Sequence, residues 1–183
     1  MLSVTEVFKN SKVSTASNLF LWFSLYSVFG WVWETIVVSI EYGYLVSRGF
    51  LFGPLCPIYG VGAVSAILLF GKRKLSIPII FLAGAALVTI LEYITSFTLE
   101  LAFDQRWWDY TTHRFNIHGR VSLLATVVFG VMIVLLIKFI HPRVERLTER
   151  ITDGTKRMLA SLLAVAILLD LCATVVHLLV VSR

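Results

Sequence analysis

The stretch IPIIFLAGAALVTILEYITSFTLEL, residues 77–101, decides the fold. It is almost wholly apolar, and about 20 residues of helix suffice to cross the hydrocarbon core of a membrane. The chain of 183 residues shows the same bias throughout, with 58% hydrophobic and 15% charged residues. Soluble domains have roughly half and a quarter, respectively. The sequence therefore predicts an all-α integral membrane protein.

Four further apolar runs flank residues 77–101, so we expect about five transmembrane helices. We place them at residues 18–41, 54–70, 77–101, 121–140 and 158–180. Residues 1–183 should form a single polytopic membrane domain, with residues 1–17 as a polar N-terminal segment. That segment lacks the charged, apolar and small-residue regions that follow one another in a signal peptide. We therefore expect the first apolar run to remain in the protein as a transmembrane helix.

The basic residues divide unequally between the two sets of connecting segments, and the more basic set is expected in the cytoplasm. Eleven lie on the side of the N-terminus: Lys9, Lys12, Lys72, Arg73, Lys74, Lys138, Arg143, Arg146, Arg150, Lys156 and Arg157. The other five are Arg48, Arg106, Arg114, Arg120 and Arg183. We therefore expect a plasma-membrane protein with a cytoplasmic N-terminus, an outer C-terminus, an outer 102–120 loop and a cytoplasmic 141–157 connection. Because the basic residues lie in short loops, nucleic-acid binding is not expected.

The loop WWDYTTHRFNIHGR, residues 107–120, has more hydrogen-bonding side chains than a connection between two spans needs. We expect Asp109, Tyr110 and Asn116 to orient a ligand. Trp108 fits the same site, although an aromatic belt at the membrane interface would also place a tryptophan here. Arg120 should open the fourth helix, where it opposes the helix macrodipole, so we expect it to pair with an acid or an anionic ligand.

Four acids of the apolar runs are candidate site residues: Glu34, Glu92, Glu100 and Asp170. A carboxylate inside a membrane is costly unless it is paired, protonated or hydrated. We expect Glu34 and Glu92 to be proton-bearing, with Arg48 and Arg120 as partners in one outer-facing polar site; Glu34 could instead meet water at the outer interface. Glu100 should bind ligand or be solvated. Asp170 is either a proton-bearing group or an anchor for helix packing.

The stretch RGFLFGPLCPIYG, residues 48–60, has too many glycines and prolines for a straight helix. We expect residues 48–56 to form a short entrant segment before the second helix, or else an interfacial loop. Arg48, Cys56 and Tyr59 would face the ligand from this side. Cys56 and Cys172 lack the spacing of a disulfide or zinc motif, and Cys56 has no evident histidine partner as a nucleophile.

Metals and cofactors are not expected. His113 and His118 lack a third ligand at a suitable spacing. Residues 141–152 show an apolar stripe of Val144, Leu147 and Ile151, which predicts a short amphipathic helix. That helix should lie on the inner leaflet or contact a cytoplasmic partner.

Several of these motifs resemble a family of small bacterial membrane proteins described as putative ABC-transporter type IV or ABC transporter permease. The resemblance covers residues 29–130. It rests on Gly30-Trp31 with Glu34, Arg48-Gly-Phe-Leu-x-Gly-Pro-x-Cys-Pro-Ile-Tyr-Gly60, Leu91-Glu92-Tyr93, Glu100, Trp108-Asp109-Tyr110, Phe115-Asn116-Ile117 and Gly119-Arg120. Asp170 is similar to an acid in the last helix of that family. The resemblance implies a permease-type function.

Three functions stay open. A transport protein would need a partner ATPase, because the chain has no Gly-x-x-x-x-Gly-Lys-[Ser/Thr] motif. It would also need a second copy of the chain. Alternatively, it could couple transport to protons through Glu34, Glu92 and Asp170. An integral-membrane enzyme would use Glu34 or Glu92 as a general base on a lipid or lipid-linked substrate. An accessory subunit would use its buried polar groups for packing. The family favours the first function, and the site chemistry favours the second.

Overall fold

The computed structural model describes the backbone of residues 4–181 and the side chains of residues 15–180. The helices are α1 (Val4–Tyr42), α2 (Pro57–Phe70), α3 (Ile77–Phe103), α4 (Leu123–Leu135), α5 (His141–Glu149) and α6 (Asp153–Val181). Two short antiparallel strands, β1 (Asn116–Ile117) and β2 (Val121–Ser122), form a hairpin between α3 and α4. Most side chains of the predicted segment 1–17, and Arg183, lie outside the described residues.

Among the described residues, four stretches of helix are long and apolar enough to cross a membrane: Thr15–Tyr42, Ile77–Phe103, Leu123–Glu149 and Asp153–Val180. The all-α integral membrane class is thereby confirmed. The second predicted span corresponds to α2, which has 14 residues. At about 1.5 Å per residue α2 is shorter than the roughly 30 Å hydrocarbon core, so a count of five spans stays a prediction.

The predicted amphipathic helix exists, but it is not a separate element. A π-helical turn at Leu136–Ile140 joins α4 directly to α5, and His141 at the junction keeps helical angles (φ −60, ψ −40). The charged residues from Lys138 onward change the polarity of the helix surface without interrupting the helical backbone. The stretch Leu123–Glu149 is therefore one continuous helix of 27 residues.

Contacts divide the chain into two compact units. The first unit contains residues 1–60 and 144–174, and the second contains residues 61–143 and 175–183. Within the second unit α3 packs against α4 through small residues, because a side chain on Gly84 would lie 2.6 Å from Ile133. A hydrogen bond of 2.9 Å between the Thr89 and Thr126 hydroxyls joins the same two helices.

Candidate functional site

The polar cluster of the first unit is centred on Glu34 in α1. The Tyr59 hydroxyl donates a hydrogen bond of 3.0 Å to Glu34 Oε1. Arg48 Nε lies 3.6 Å from Glu34 Oε2, and 26% of the Arg48 side chain is exposed. The structure thus brings together three of the predicted site residues, two of which come from the segment 48–60.

Glycines make this cluster possible. A Cβ atom on Gly30 would lie 2.1 Å from Cγ of Tyr59, so the tyrosine ring rests directly on α1 one turn before Glu34. A Cβ on Gly60 would lie 2.3 Å from Oγ of Ser27, again on α1. The start of α2 therefore touches the α1 backbone, and this close approach delivers the Tyr59 hydroxyl to the carboxylate.

Asp170 in α6 holds the segment that precedes α2. Residues 43–56 are not helical, as the glycines and prolines predict. Asp170 Oδ1 accepts a 3.1 Å hydrogen bond from the Phe52 N–H, and Oδ2 accepts one of 2.9 Å from the Gly53 N–H. A Cβ on Gly53 would lie 2.7 Å from the same carboxylate oxygen. Of the two predicted roles for Asp170, this geometry supports the anchor.

Two further residues complete the cluster of the first unit. Cys56 is 3% exposed, and its N–H donates a hydrogen bond of 3.0 Å to the Ser27 carbonyl oxygen. Trp31 lies one turn before Glu34, and its buried indole N–H has no hydrogen-bond partner within residues 15–180. Trp31 belongs to the Gly30-Trp31 motif but was not among the predicted site residues.

The polar cluster of the second unit is centred on Glu100 near the end of α3. Arg106 Nε donates a hydrogen bond of 2.9 Å to Glu100 Oε1, and Arg120 Nη2 donates to Glu100 Oε2. We name Glu100, Arg106 and Arg120 the arginine cluster. The sequence predicts an acid or an anionic ligand as the partner of Arg120, and the structure provides the acid, Glu100. Arg106 was not among the predicted site residues.

Aromatic rings surround Arg120. Its guanidinium carbon lies 5.6 Å from the ring centroids of both Tyr93 and Phe97, a distance at which a cation is attracted to the ring face. The side chain of Arg120 is 12% exposed. The Tyr93 hydroxyl also forms a hydrogen bond of 2.8 Å with His118 Nδ1. These contacts fix the orientation of the guanidinium group.

The prediction that Arg120 opens the fourth helix is wrong. Arg120 lies in the hairpin turn, where its N–H donates to the Ile117 carbonyl oxygen at 3.0 Å. The helix begins at Leu123, and Ser122 caps it by accepting a 3.2 Å hydrogen bond from the Ala125 N–H. Strands of two residues are too short to leave an alternating pattern in the sequence, so the hairpin was not foreseen.

Three of the predicted ligand-binding residues also hold the loop together. Asp109 Oδ1 accepts a hydrogen bond of 2.9 Å from the Thr111 N–H. Asn116 Nδ2 donates to the His113 carbonyl oxygen at 2.7 Å, and Asn116 Oδ1 accepts from the Gly119 N–H at 2.9 Å. Trp108 Nε1 donates to the carbonyl oxygen of Arg120 at 2.9 Å. These bonds explain much of the polar content of the loop.

Glu92 is a buried acid of α3, with 5% of its surface exposed. The Tyr110 hydroxyl donates a hydrogen bond of 3.3 Å to Glu92 Oε1. The two proton-bearing candidates, Glu34 and Glu92, therefore each accept a hydrogen bond from a tyrosine hydroxyl in their own unit. The prediction that Glu34, Arg48, Glu92 and Arg120 share one site stays a prediction.

The chain matches a family model described as "Putative ABC-transporter type IV" over residues 21–175. Neither a curated protein nor a solved structure matches it. The match covers most of the chain, including both polar clusters, and it confirms the resemblance carried by the sequence motifs. Together with the long apolar helices, it identifies a transport-related, multi-pass membrane protein. The chain belongs to the putative ABC-transporter type IV family.

Proposed function

We propose that the chain is a permease-type transport protein that binds an anionic or lipid-like ligand at the arginine cluster. One observation carries this proposal: two guanidinium groups, from Arg106 and Arg120, share the single carboxylate of Glu100. The cluster therefore holds one positive charge in excess. A phosphate or carboxylate group would neutralise it through charge-assisted hydrogen bonds.

The hydrogen bonding of the cluster supports the same ligand class. Arg120 Nε is buried and has no hydrogen-bond partner among the side chains that the structure describes. An unsatisfied buried donor costs about 1–3 kcal/mol, and an anionic oxygen would remove that cost. Arg106 supplies an accessible cation, since 35% of its side chain is exposed. An incoming anion would meet Arg106 first and then compete with Glu100 for the two arginines.

Membership of an ABC-transporter family makes an ATPase subunit the expected partner. The chain itself has no phosphate-binding loop of the Gly-x-x-x-x-Gly-Lys-[Ser/Thr] type. Helix α5 exposes Arg143, Glu145, Arg146 and Leu147, and we assign the ATPase contact to this surface. We further propose a homodimer in a bacterial plasma membrane, with the N-terminus and α5 in the cytoplasm and the C-terminus and arginine cluster outside.

A second candidate function is an integral-membrane enzyme that acts on a lipid or lipid-linked substrate. The pairing of Tyr59 with Glu34 and of Tyr110 with Glu92 favours it, because a carboxylate oriented by a phenol can move a proton. Glu34 or Glu92 would be the general base. Arg48, 3.6 Å from Glu34, would hold the anionic group of the substrate.

The experiment that tests the proposal compares ligands that copurify with the wild-type protein and with Arg106→Gln. Protein purified in mild detergent is extracted and analysed by mass spectrometry for anionic small molecules and lipids. We expect one anionic compound to be enriched with the wild type and reduced about tenfold or more with the variant, as for the loss of one charge-assisted hydrogen bond. Arg73→Gln, an exposed arginine outside the cluster, is the matched control. Equal recovery from all three proteins would refute the proposal, and recovery of a chemically converted lipid would favour the enzyme.

A further inference from the structure

A groove in the second unit lies beside the hairpin, separate from the hydrogen bonds of the arginine cluster. It has a volume of about 480 Å³ and is lined by His113, Arg114, Phe115, Leu123, Leu124 and Val127. Small-molecule sites commonly occupy about 300–1,000 Å³. The lining is almost wholly apolar, and a single full charge, that of Arg114, stands among these six residues.

The position of the groove along the chain places it at the level of lipid head groups. Its apolar wall consists of Leu123, Leu124 and Val127, which form the first turns of α4. Helix α4 opens the stretch Leu123–Glu149, which is long enough to cross a membrane. The first turns of such a helix lie at the boundary between the hydrocarbon core and the head groups. A chain that enters the groove along α4 would therefore run into the hydrocarbon region.

Arg114 supplies the positive charge that a phosphate group needs beside the groove. Arg114 is exposed, and its guanidinium carbon lies 5.7 Å from the centroid of the Phe115 ring. That stacking orients the guanidinium group while it stays accessible. The Ser122 hydroxyl accepts from the Ala125 N–H and lies 2.9 Å from His113 Nδ1. These two bonds hold His113 against the start of α4.

From this combination we propose that the groove is a binding site for one phospholipid. Its phosphate group is held by Arg114 and its acyl chain lies against Leu123, Leu124 and Val127. An exposed apolar helix face alone would be covered by any lipid, but a concave face with an oriented arginine at head-group level selects a phosphate-bearing lipid. The site is independent of the anion proposed for the arginine cluster, because the two use different arginines.

The test uses native mass spectrometry of the detergent-solubilised full chain with added dioleoylphosphatidylglycerol. We expect the wild type to retain one lipid under collisional activation that removes the others. Arg114→Gln should reduce that retention about tenfold or more, through loss of a charge-assisted contact. Val127→Trp, which fills the groove, should do the same, whereas Arg73→Gln should match the wild type. Dioleoylglycerol, which has the chains but no phosphate, should not be retained.

The outcomes separate this inference from its alternatives. Retention by Arg114→Gln and Val127→Trp at the wild-type level would overturn it. Retention of dioleoylglycerol by the wild type would show an unselective apolar surface and would also overturn it. A dimer that Val127→Trp dissociates without any change in bound lipid would assign the groove to a second copy of the chain. If Arg106→Gln loses the retained lipid while Arg114→Gln keeps it, the lipid lies at the arginine cluster. That result would overturn this inference and support the proposed function, so the two fail separately.

Discussion

The hydroxyl group of Tyr59 donates a 3.0 Å hydrogen bond to Glu34, and the tyrosine ring reaches that position by lying on the backbone of Gly30. A carboxylate in a membrane-spanning helix needs a partner. Glu34 has two in its own unit, the phenol of Tyr59 and the guanidinium group of Arg48. Gly30, one turn before Glu34, therefore makes room for the tyrosine ring whose hydroxyl group binds the carboxylate.

Gly30→Ala should destabilise the protein by displacing Tyr59. The added Cβ would lie 2.1 Å from Cγ of the tyrosine ring. Overpacking of this kind costs about 1–3 kcal/mol, so we expect a clearly lower Tm in a thermal melt of the detergent-solubilised protein.

The matched control is Gly62→Ala in α2. A Cβ there would meet only Leu91 Cδ1, at 3.8 Å, which is an ordinary contact. Alanine favours helix over glycine by about 1 kcal/mol, so Tm should stay the same or rise. Equal losses of Tm in the two variants would contradict the role assigned to Gly30.

Gly119→Ala should disturb the hairpin more than Gly43→Ala disturbs the end of α1. Both glycines have positive φ, +69 and +76 respectively, so both substitutions carry a backbone cost of about 1–2 kcal/mol. Only Gly119 is also crowded, since its Cβ would lie 2.7 Å from Asp109 Oδ1. We expect the loss of Tm to be larger for Gly119→Ala. Similar Tm values would show that the contact between Asp109 and Gly119 is unimportant.

Asp170→Asn should loosen the segment before α2. The carboxylate accepts hydrogen bonds from the Phe52 and Gly53 N–H groups, and an asparagine can accept only one of them. Hydrogen bonds to charged groups contribute about 1.5–3 kcal/mol. The measurement is the rate at which a maleimide labels Cys56, which is 3% exposed in the wild type. With Cys172→Ser in both proteins, we expect Asp170→Asn to be labelled about ten times faster or more than the protein that keeps Asp170.

Asp153→Asn is the control for that experiment. Its side chain is 56% exposed at the start of α6, and it lies outside the segment. In Asp153→Asn, Cys56 should be labelled at the same rate as in the protein that carries Cys172→Ser alone. Slow labelling of Cys56 in Asp170→Asn would mean that the segment is held by something other than this carboxylate.

The sequence allowed the membrane class to be predicted, but only part of the charge pairing. Because acids in apolar helices need partners, the sequence predicts Arg48 and Arg120 as partners of Glu34 and Glu92. Arg48 does lie beside Glu34, whereas Arg120 pairs with Glu100, for which ligand binding or solvation was expected. The anchor at Asp170 could not be assigned, because it holds the segment through the Phe52 and Gly53 N–H groups, and backbone N–H groups have no sequence signature. The structural roles of Asp109 and Asn116 depend on a hairpin of two-residue strands, too short to show a period.

The start of the fourth helix was misplaced for a related reason. The apolar run begins at Val121, so the predicted span begins there, whereas Val121 and Ser122 form the second strand. Ser122 is the residue that marks the start, since serine is a favoured N-cap. The close contacts of Gly30 and Gly60 could not be predicted either, because the sequence does not show which side chain will pack against a glycine in a helix.

The central claim is that the two arginines bind an anion in competition with Glu100. The most direct test compares the amount of copurified anionic ligand in Glu100→Gln and Arg106→Gln. The amount is expressed per mole of protein that elutes from gel filtration as folded protein. Removal of the competing carboxylate should raise the recovered ligand above the wild-type level, and removal of the arginine should lower it. Glu41→Gln, an exposed acid at the end of α1, should have no effect. Changes of the same sign in Glu100→Gln and Arg106→Gln, or no change in either, would contradict the account.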